Sequence, residues 1–283
     1  MLWLLFLASS VVVVLAATKL AEYADIISVR TKLGGLVVGT ILLAGATSLP
    51  ELIASISSFS AGVPNLAAGN FFGSNMTNIA LLAFVDLFNR QAPLLRSVAV
   101  SHSLTAALAT LLMLVAVLSM VVGPTPVIGW VGLDSLLIIA LYFIGIWVMQ
   151  RETQTDGANS AVMEPGEGFP TLRRGVIGFV LAAAVLMATV PQLVRASTGI
   201  AEITGLGTGF VGTALLSLVT SLPELVAVIA AVRIGSFDLA VGNLLGSNVF
   251  NMLGLAVADF FLLDGAFLNI IDPGFILVGL LGI

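Results

Sequence analysis

Twice in this chain a proline and a glutamate stand side by side within a long apolar run. The first pair is Pro50-Glu51 in "ATSLPEL" (46–52), the second Pro223-Glu224 in "VTSLPEL" (219–225). Proline has no N–H, so the carbonyls of Ala46 and Val219 lose their i→i−4 partners. Each segment therefore sets uncommitted backbone oxygen beside a carboxylate. Thr47 and Glu51 are four residues apart and share a helix face, as do Thr220 and Glu224. Downstream, Asn70, Ser74 and Asn78 form a second stripe at helical spacing, matched by Asn243, Ser247 and Asn251. Brought together, these groups make an all-oxygen set with no soft ligand, which suits a hard cation. Ca²⁺ takes roughly 6–8 oxygens, and two bidentate glutamates with two threonine oxygens supply about six. The joint charge of the carboxylates balances one Ca²⁺, and the same oxygens divided among sites could hold Na⁺. The chain has no cysteine and one histidine, which argues against disulfides, thiolate metal sites, zinc and haem.

The elements that carry these residues must be membrane helices. Of 283 residues, 59% are hydrophobic and 9% charged, with mean hydropathy +1.17. Soluble domains carry roughly 25% charged residues. Scattered cations and a net charge of −5 leave no nucleic-acid footprint. Crossing ~30 Å of hydrocarbon takes about 20 apolar residues, and nine such stretches are predicted: 2–20, 35–60, 64–88, 98–122, 127–149, 174–196, 206–231, 238–262 and 267–283. The expectation is an all-α polytopic membrane protein in two halves, 1–149 and 173–283, joined by a linker over 150–172. Lys19, Arg30, Lys32, Arg90, Arg96, Arg151, Arg173, Arg174 and Arg233 follow odd-numbered spans, and only Arg195 follows an even one. The positive-inside rule then puts the N-terminus outside and the linker in the cytoplasm, consistent with residence in the cell membrane.

Shifting the sequence by 173 residues aligns 39–82 with 212–255 without a gap, with about half of the 44 positions identical. "GNFFGSNMTN" falls on "GNLLGSNVFN", and Asp86 on Asp259. Five spans separate the copies, an odd number, so they cross the bilayer in opposite directions. Inverted repeats with interrupted helices are a signature of secondary transporters with a midplane site. Completing the second half by the same arithmetic predicts a tenth span beyond Ile283. An acidic residue near a helix centre costs about 3 kcal/mol on insertion scales, and duplication keeps that cost at both Glu51 and Glu224.

On "ATSLPEL", "VTSLPEL" and the two Gly-Asn…Gly-Ser-Asn segments, the chain resembles the cation/Ca²⁺ exchanger superfamily, in particular sodium/calcium exchangers. The resemblance implies ten helices in two inverted halves with the motifs lining a central site. Carried over by position, Glu51 and Glu224 become the main Ca²⁺ ligands, and Thr47, Ser48, Thr220 and Ser221 add hydroxyl or carbonyl oxygen. Ala44 and Ser217 offer carbonyls to Na⁺, and Ser74, Ser247, Asn78 and Asn251 complete the central and Na⁺ sites. Two departures stand out. Ala46 and Val219 replace the family's usual glycine. Some sodium/calcium exchangers, and the potassium-dependent ones, carry aspartate where Asn251 stands; asparagine at both Asn78 and Asn251 argues against potassium dependence and leaves Na⁺ and H⁺ both open as the coupling ion.

The function expected is a secondary antiporter exchanging Ca²⁺ for Na⁺ by alternating access, with H⁺ coupling on the same scaffold as the rival and a channel a distant third. No enzymatic role, cofactor or protein partner is expected beyond the lipid bilayer and the transported ions. His102 reads as an interfacial or packing residue, Asp134 as a charge at a helix start, and Asp86 and Asp259 as span-end residues with water nearby.

Overall fold

The computed structural model describes residues 1–31, 44–88, 102–155, 169–233, 237–263 and 265–283. Apart from a two-residue antiparallel pairing, Val127–Ile128 (β1) with Val131–Gly132 (β2), the architecture is helical. Among the described residues, five helices are long and apolar enough to cross a membrane, six if one bent pair is a single span.

Helix α1, Leu2–Thr31, packs along α6, Leu172–Thr204. Gly175 faces Ile26 and Gly199 faces Leu2, so the two run antiparallel. Their seam is Val13, Ala17 and Leu20 against Leu186, Val190 and Leu193, all buried. Leu4, Leu7, Val11 and Leu15, one face of α1, point outward, as a lipid-facing stripe should. Arg30 ties the end of α1 to the start of α6: its Nε donates to Pro170 O (2.8 Å) and its Nη2 to Phe169 O (2.5 Å).

The repeat is visible in the element boundaries. Helix α2, Leu49–Ser60, corresponds residue for residue to α8, Leu222–Arg233, and α3, Pro64–Phe88, to Phe237–Phe261. The first 22 residues of the latter, Phe237–Ala258, are α-helical (α9). Thr31 and Thr204, the ends of α1 and α6, also differ by 173. The segment Thr208–Thr220 (α7) contains a π turn over Gly212–Leu216 and meets α8 at 41°. Helix α3 crosses this π turn in direct backbone contact. A Cβ on Gly69 would sit 2.6 Å from Gly209 O, and one on Gly73 would sit 2.8 Å from Thr213 Cα. Only glycine allows that approach.

Outside the repeat core, α4 (Ser103–Val122) and α5 (Leu133–Thr155) pack with α3 and α9 around Phe71, Leu112, Met113, Ile138 and Met252. Several expected boundaries are corrected. α1 continues past residue 20 to Thr31, and α6 spans Leu172–Thr204 instead of 174–196. The fifth span begins at Leu133 because 127–132 form the hairpin, and its helix runs to Thr155, into the expected linker. Residues 35–43 and 98–101 of the expected second and fourth spans lie outside the described residues, as do 156–168 of the linker. The last predicted span, 267–283, consists of two short helices, Phe267–Ile270 and Phe275–Leu281. Pro273, following Asp272, lacks the N–H a continuous helix would need, and neither piece is long enough to cross ~30 Å.

Asp259 and Asp134 are structural. The fully buried Asp259 accepts from Gly132 N (2.9 Å) and Phe267 N (2.6 Å), joining the hairpin to the C-terminal segment. Asp134 accepts from Thr125 Oγ1 (3.0 Å) and Ser135 N (2.8 Å).

The glycine crossing makes a direct prediction. Gly69→Ala forces α3 and α7 apart and destabilises the protein by about 1–3 kcal/mol, the range for overpacking a tight contact. A thermal-unfolding midpoint unchanged from the parent in the same detergent would show that the helices do not meet there.

Candidate cation site

Each copy builds its half of the site in the same way. A helical turn (44–47 in the first copy, Ser217–Thr220 in the second) stops at a serine with near-identical backbone angles: Ser48 at φ −87, ψ 4 and Ser221 at φ −88, ψ 2. A new helix begins one residue later, with its glutamate in the first turn. That position suits a carboxylate, because the helix N-terminus carries positive partial charge. The break thus sets the carboxylate at a helix start in the interior.

The serines at the breaks reach across the pseudo-symmetry axis. Ser48 Oγ makes no cap to its own helix and donates to Glu224 Oε1 (3.2 Å); Ser221 Oγ donates to Glu51 Oε1 (3.3 Å). Ser74 Oγ also donates to Glu51 Oε1 (3.4 Å). Thr47 Oγ1 lies 3.3 Å from Ser247 Oγ, and both hydroxyls flank Glu224. Thr220 flanks Glu51 while donating to Asn70 Oδ1 (3.0 Å). Both glutamates are fully buried and close enough to repel one another. Among the described residues no lysine or arginine pairs with either.

A second layer follows the same symmetry. Asn78 Nδ2 donates to Asn248 Oδ1 and Asn251 Nδ2 to Asn75 Oδ1, both at 3.0 Å. Four oxygens consequently face the interior without a donor: Glu51 Oε2, Glu224 Oε2, Asn78 Oδ1 and Asn251 Oδ1. A buried polar atom without a partner costs on the order of 1–3 kcal/mol. Four acceptors left bare, two of them ionisable, are the complement of a cation that brings no hydrogen-bond acceptor of its own.

The sequence-predicted set is largely brought together. Glu51, Glu224, Thr47, Thr220, Ser48, Ser221, Ser74, Ser247, Asn78 and Asn251 are all buried; the first eight gather around the two carboxylates, while Asn78 and Asn251 pair across the repeats with Asn248 and Asn75. The carbonyls of Ala44 and Ser217 behave differently. Ala44 O accepts from Ser48 N (2.9 Å) and Thr47 Oγ1 (3.1 Å), and Ser217 O accepts from Ser221 N (2.9 Å), with Thr220 Oγ1, which donates to Asn70, 3.2 Å away. Each carbonyl is thus engaged by the serine N–H four residues on, and the Ser217 hydroxyl donates to Thr213 O. Sequence reasoning missed Asn75 and Asn248, which orient Asn78 and Asn251. They lie off the i, i+4 stripe, but their identity in both copies is a signal that could have found them.

The copies differ at one point. Asn70 Nδ2 donates to Glu51 O (3.0 Å) and Ser55 Oγ (3.2 Å). Its equivalent, Asn243, is buried with neither polar atom partnered, and Val228 stands where Ser55 would be.

Two inverted, interrupted helix pairs enclosing buried carboxylates define a membrane transporter of the cation-exchange type. Comparison with known proteins agrees. The family model for "Sodium/calcium exchanger protein" matches residues 1–150 and 174–283, and the chain belongs to that family, one of cation/Ca²⁺ antiporters and not of enzymes. It is 28% identical over 256 residues to the inner membrane protein YrbG of Escherichia coli (strain K12), covering 88% of this chain and 76% of that one. Over 86 residues (29% of this chain, 25% of the other) it is 36% identical to the sodium/calcium exchanger MaX1 of Methanosarcina acetivorans. The fold is similar to the H⁺/Ca²⁺ exchanger CAX, with TM-score 0.69 and 19% identity over 92% of this chain and 67% of that one. It is also similar to the sodium-calcium exchanger NCX_Mj, at 0.59 and 20% over 100% and 89%. The chain is an integral membrane protein.

Two substitutions test the site. Glu51→Gln and Glu224→Gln each remove one of the two buried carboxylates, and as candidate Ca²⁺ ligands each is expected to weaken Ca²⁺ binding by on the order of 100-fold, about 3 kcal/mol. Calorimetric titration of the purified variants measures this; parental affinity in either variant would remove that carboxylate from the site.

Proposed function

We propose that this protein is a secondary antiporter that exchanges Ca²⁺ for Na⁺ by alternating access at the Glu51–Glu224 site. The observation that carries this reading is the set of buried oxygens without a donor, Asn78 Oδ1 and Asn251 Oδ1 on the repeated asparagine stripe together with Glu51 Oε2 and Glu224 Oε2. An amide oxygen is too weak a base to hold a proton near neutral pH, so these amide oxygens serve a metal cation, and any H⁺ would be held by the carboxylates alone. Neutral oxygens do serve Na⁺ and Ca²⁺, both hard cations. Ca²⁺ neutralises both glutamates at once. Na⁺ ions use the same carboxylates with the asparagine and hydroxyl oxygens, so the two cargoes compete.

Exchange in place of leak follows from electrostatics. Two ionised carboxylates left together in the interior repel one another and have lost their hydration, a penalty of several kcal/mol per ion after relaxation. The empty, fully charged site is disfavoured in any conformation that shuts it from water, so the switch between faces occurs with cations aboard. In this reading residues 1–149 and 173–283 are the two inverted halves, 150–172 is a cytoplasmic connection, and the N-terminus faces outward across the cell membrane.

A second reading couples Ca²⁺ to H⁺, favoured by the absence of a cationic partner for either glutamate among the described residues, since protonation also removes their repulsion. Both are tested by ⁴⁵Ca²⁺ uptake into Na⁺-loaded proteoliposomes at clamped pH. We expect uptake that requires the outward Na⁺ gradient and disappears in the Glu51→Gln, Glu224→Gln double variant. Uptake indifferent to Na⁺ but driven by a pH gradient would transfer the protein to the second reading; uptake surviving in the double variant would end both.

A further inference from the structure

Asn70 and Asn243 are the same residue of the repeat, 173 positions apart, and the structure commits only one of them. Asn70 uses both ends of its amide. Its Oδ1 accepts from Thr220 Oγ1 (3.0 Å), and its Nδ2 donates to Glu51 O (3.0 Å) and Ser55 Oγ (3.2 Å). Asn243 is 1% exposed, and neither its oxygen nor its nitrogen has a partner among the described residues. A buried amide left bare at both ends is destabilising, because the hydrogen bonds it made to water are not replaced.

Two local differences produce the contrast. Val228 stands where Ser55 stands in the first copy, fully buried in an apolar cluster with Val241 and Leu244 of α9, and it offers no hydroxyl to the amide nitrogen. Thr47, the counterpart of Thr220, donates to Ala44 O (3.1 Å) and lies 3.3 Å from Ser247 Oγ, so its hydroxyl does not engage the amide oxygen. The rest of the frame is kept. Asn243 precedes Ser247 by four residues on α9 and shares its helix face. Ser247 flanks Glu224 on the adjoining α8, and Glu224 Oε2 is also bare. The amide that is spent on the scaffold beside Glu51 is therefore unspent beside Glu224.

We propose that Asn243 is a ligand for a monovalent cation held on the Glu224 side of the site: its Oδ1 coordinates the Na⁺ whose charge Glu224 balances, and Val228 keeps the amide free to do so. This rests on the Na⁺/Ca²⁺ exchange reading for its cargo. Charge is what selects Na⁺ for this ligand. A monovalent ion balances one carboxylate and completes its shell with neutral oxygens, which suit a hard cation. Ca²⁺ balances both carboxylates and is shared between them, so a ligand present on one side only contributes less to it. The N–H groups of the same amide are left to donate to water that enters with the ion. The two halves of the site are then unequal, and Na⁺ fills the Glu224 side first.

The test follows thermal unfolding of the purified protein in detergent across a Na⁺ titration in Ca²⁺-free buffer, with choline holding ionic strength constant. Ca²⁺ is titrated calorimetrically on the same samples. An ion that binds only the folded state raises the midpoint as it saturates the site. Asn243→Leu removes the amide at nearly constant volume. We expect its cation-free midpoint at or above the parent's, because a bare polar group is lost. Half-saturating Na⁺ should rise at least ~10-fold while Ca²⁺ affinity falls less than ~3-fold. Asn70→Leu is the contrast: it strips partners from Thr220 and Ser55 and lowers the cation-free midpoint. Val228→Ser leaves Asn243 in place and gives its nitrogen the hydroxyl that Ser55 gives Asn70, so half-saturating Na⁺ rises there too. The proposal is overturned if half-saturating Na⁺ in Asn243→Leu stays within ~2-fold of the parent's, if Ca²⁺ affinity falls as far as Na⁺ affinity, or if Val228→Ser leaves Na⁺ binding unchanged. A cation-free midpoint lowered as far as in Asn70→Leu would make Asn243 a packing residue and overturn it as well. A parent that binds Na⁺ beside an unaffected Asn243→Leu defeats this assignment alone. A parent that binds Ca²⁺ and no Na⁺ defeats the Na⁺-exchange reading and this ligand with it.

Discussion

Two carboxylates share the interior of this protein with no basic side chain among the described residues to neutralise them, and the rest of the structure follows from how that is made tolerable. Burying an unpaired charge costs several kcal/mol, and here two such charges also repel. The chain answers with helix starts and hydroxyls. Each glutamate lies in the first turn of a helix, where backbone N–H groups and the helix dipole favour negative charge. Each also receives a serine from the opposite copy, Ser48 to Glu224 and Ser221 to Glu51. Neither device neutralises a charge. The second oxygen of each carboxylate stays bare, and in the proposed exchange that residual deficit is what a cation would fill.

The crossed serines also explain why duplication matters beyond counting ligands. A carboxylate held only by its own helix could move with that helix. Here each is held by the other copy, so the halves meet through the site itself. Close packing makes this possible: Gly69 and Gly73 let α3 lie against the π turn of α7, which brings Asn70 within reach of Thr220. Symmetry is not complete. Ser55 gives Asn70 a second anchor beside Glu51, whereas Val228 denies one to Asn243 beside Glu224. The Glu51 side is therefore the more firmly braced, and the Glu224 side has a spare polar group with no fixed commitment. A repeat protein whose halves were equally braced would have less reason to favour one arrangement of the cage over another.

Much of this was legible in the sequence because the site is built from local signals that occur twice. Proline beside glutamate marked the breaks, helical spacing marked the stripes, and the offset of 173 showed that the polar positions had been kept together. The pair of residues that orient Asn78 and Asn251 was overlooked for a geometrical reason: Asn75 and Asn248 lie on an adjacent helix face and act across the interface, where spacing within one helix carries no information. Span boundaries failed where apolar composition alone was used. The runs at 127–132 and 267–283 are as apolar as a helix needs, but the first is turned back at Gly129 (φ 69) and pinned by Asp259, and the second is broken at Pro273. Those constraints are tertiary or single-residue effects that average hydropathy does not register. The carbonyls of Ala44 and Ser217 were assigned to Na⁺ from family resemblance, and in the structure each accepts from the serine N–H four residues on.

Serine and threonine are suited to line such a site in a way that no charged or amide side chain matches. A hydroxyl has one donor and two lone pairs, and its hydrogen turns freely. The hydroxyls of Ser48, Ser221 and Ser74 donate to the carboxylates at 3.2–3.4 Å, long contacts for O–H···O geometry. When a cation enters, each hydroxyl can turn its hydrogen away and present a lone pair, changing from donor to ligand without moving its oxygen far. A lysine could stabilise the carboxylates more strongly, but it would occupy the cation's place and repel it. In the proposed exchange, weak, reversible donors keep the site formed between cargoes while leaving the glutamates available, a balance that a purely structural ion pair would destroy.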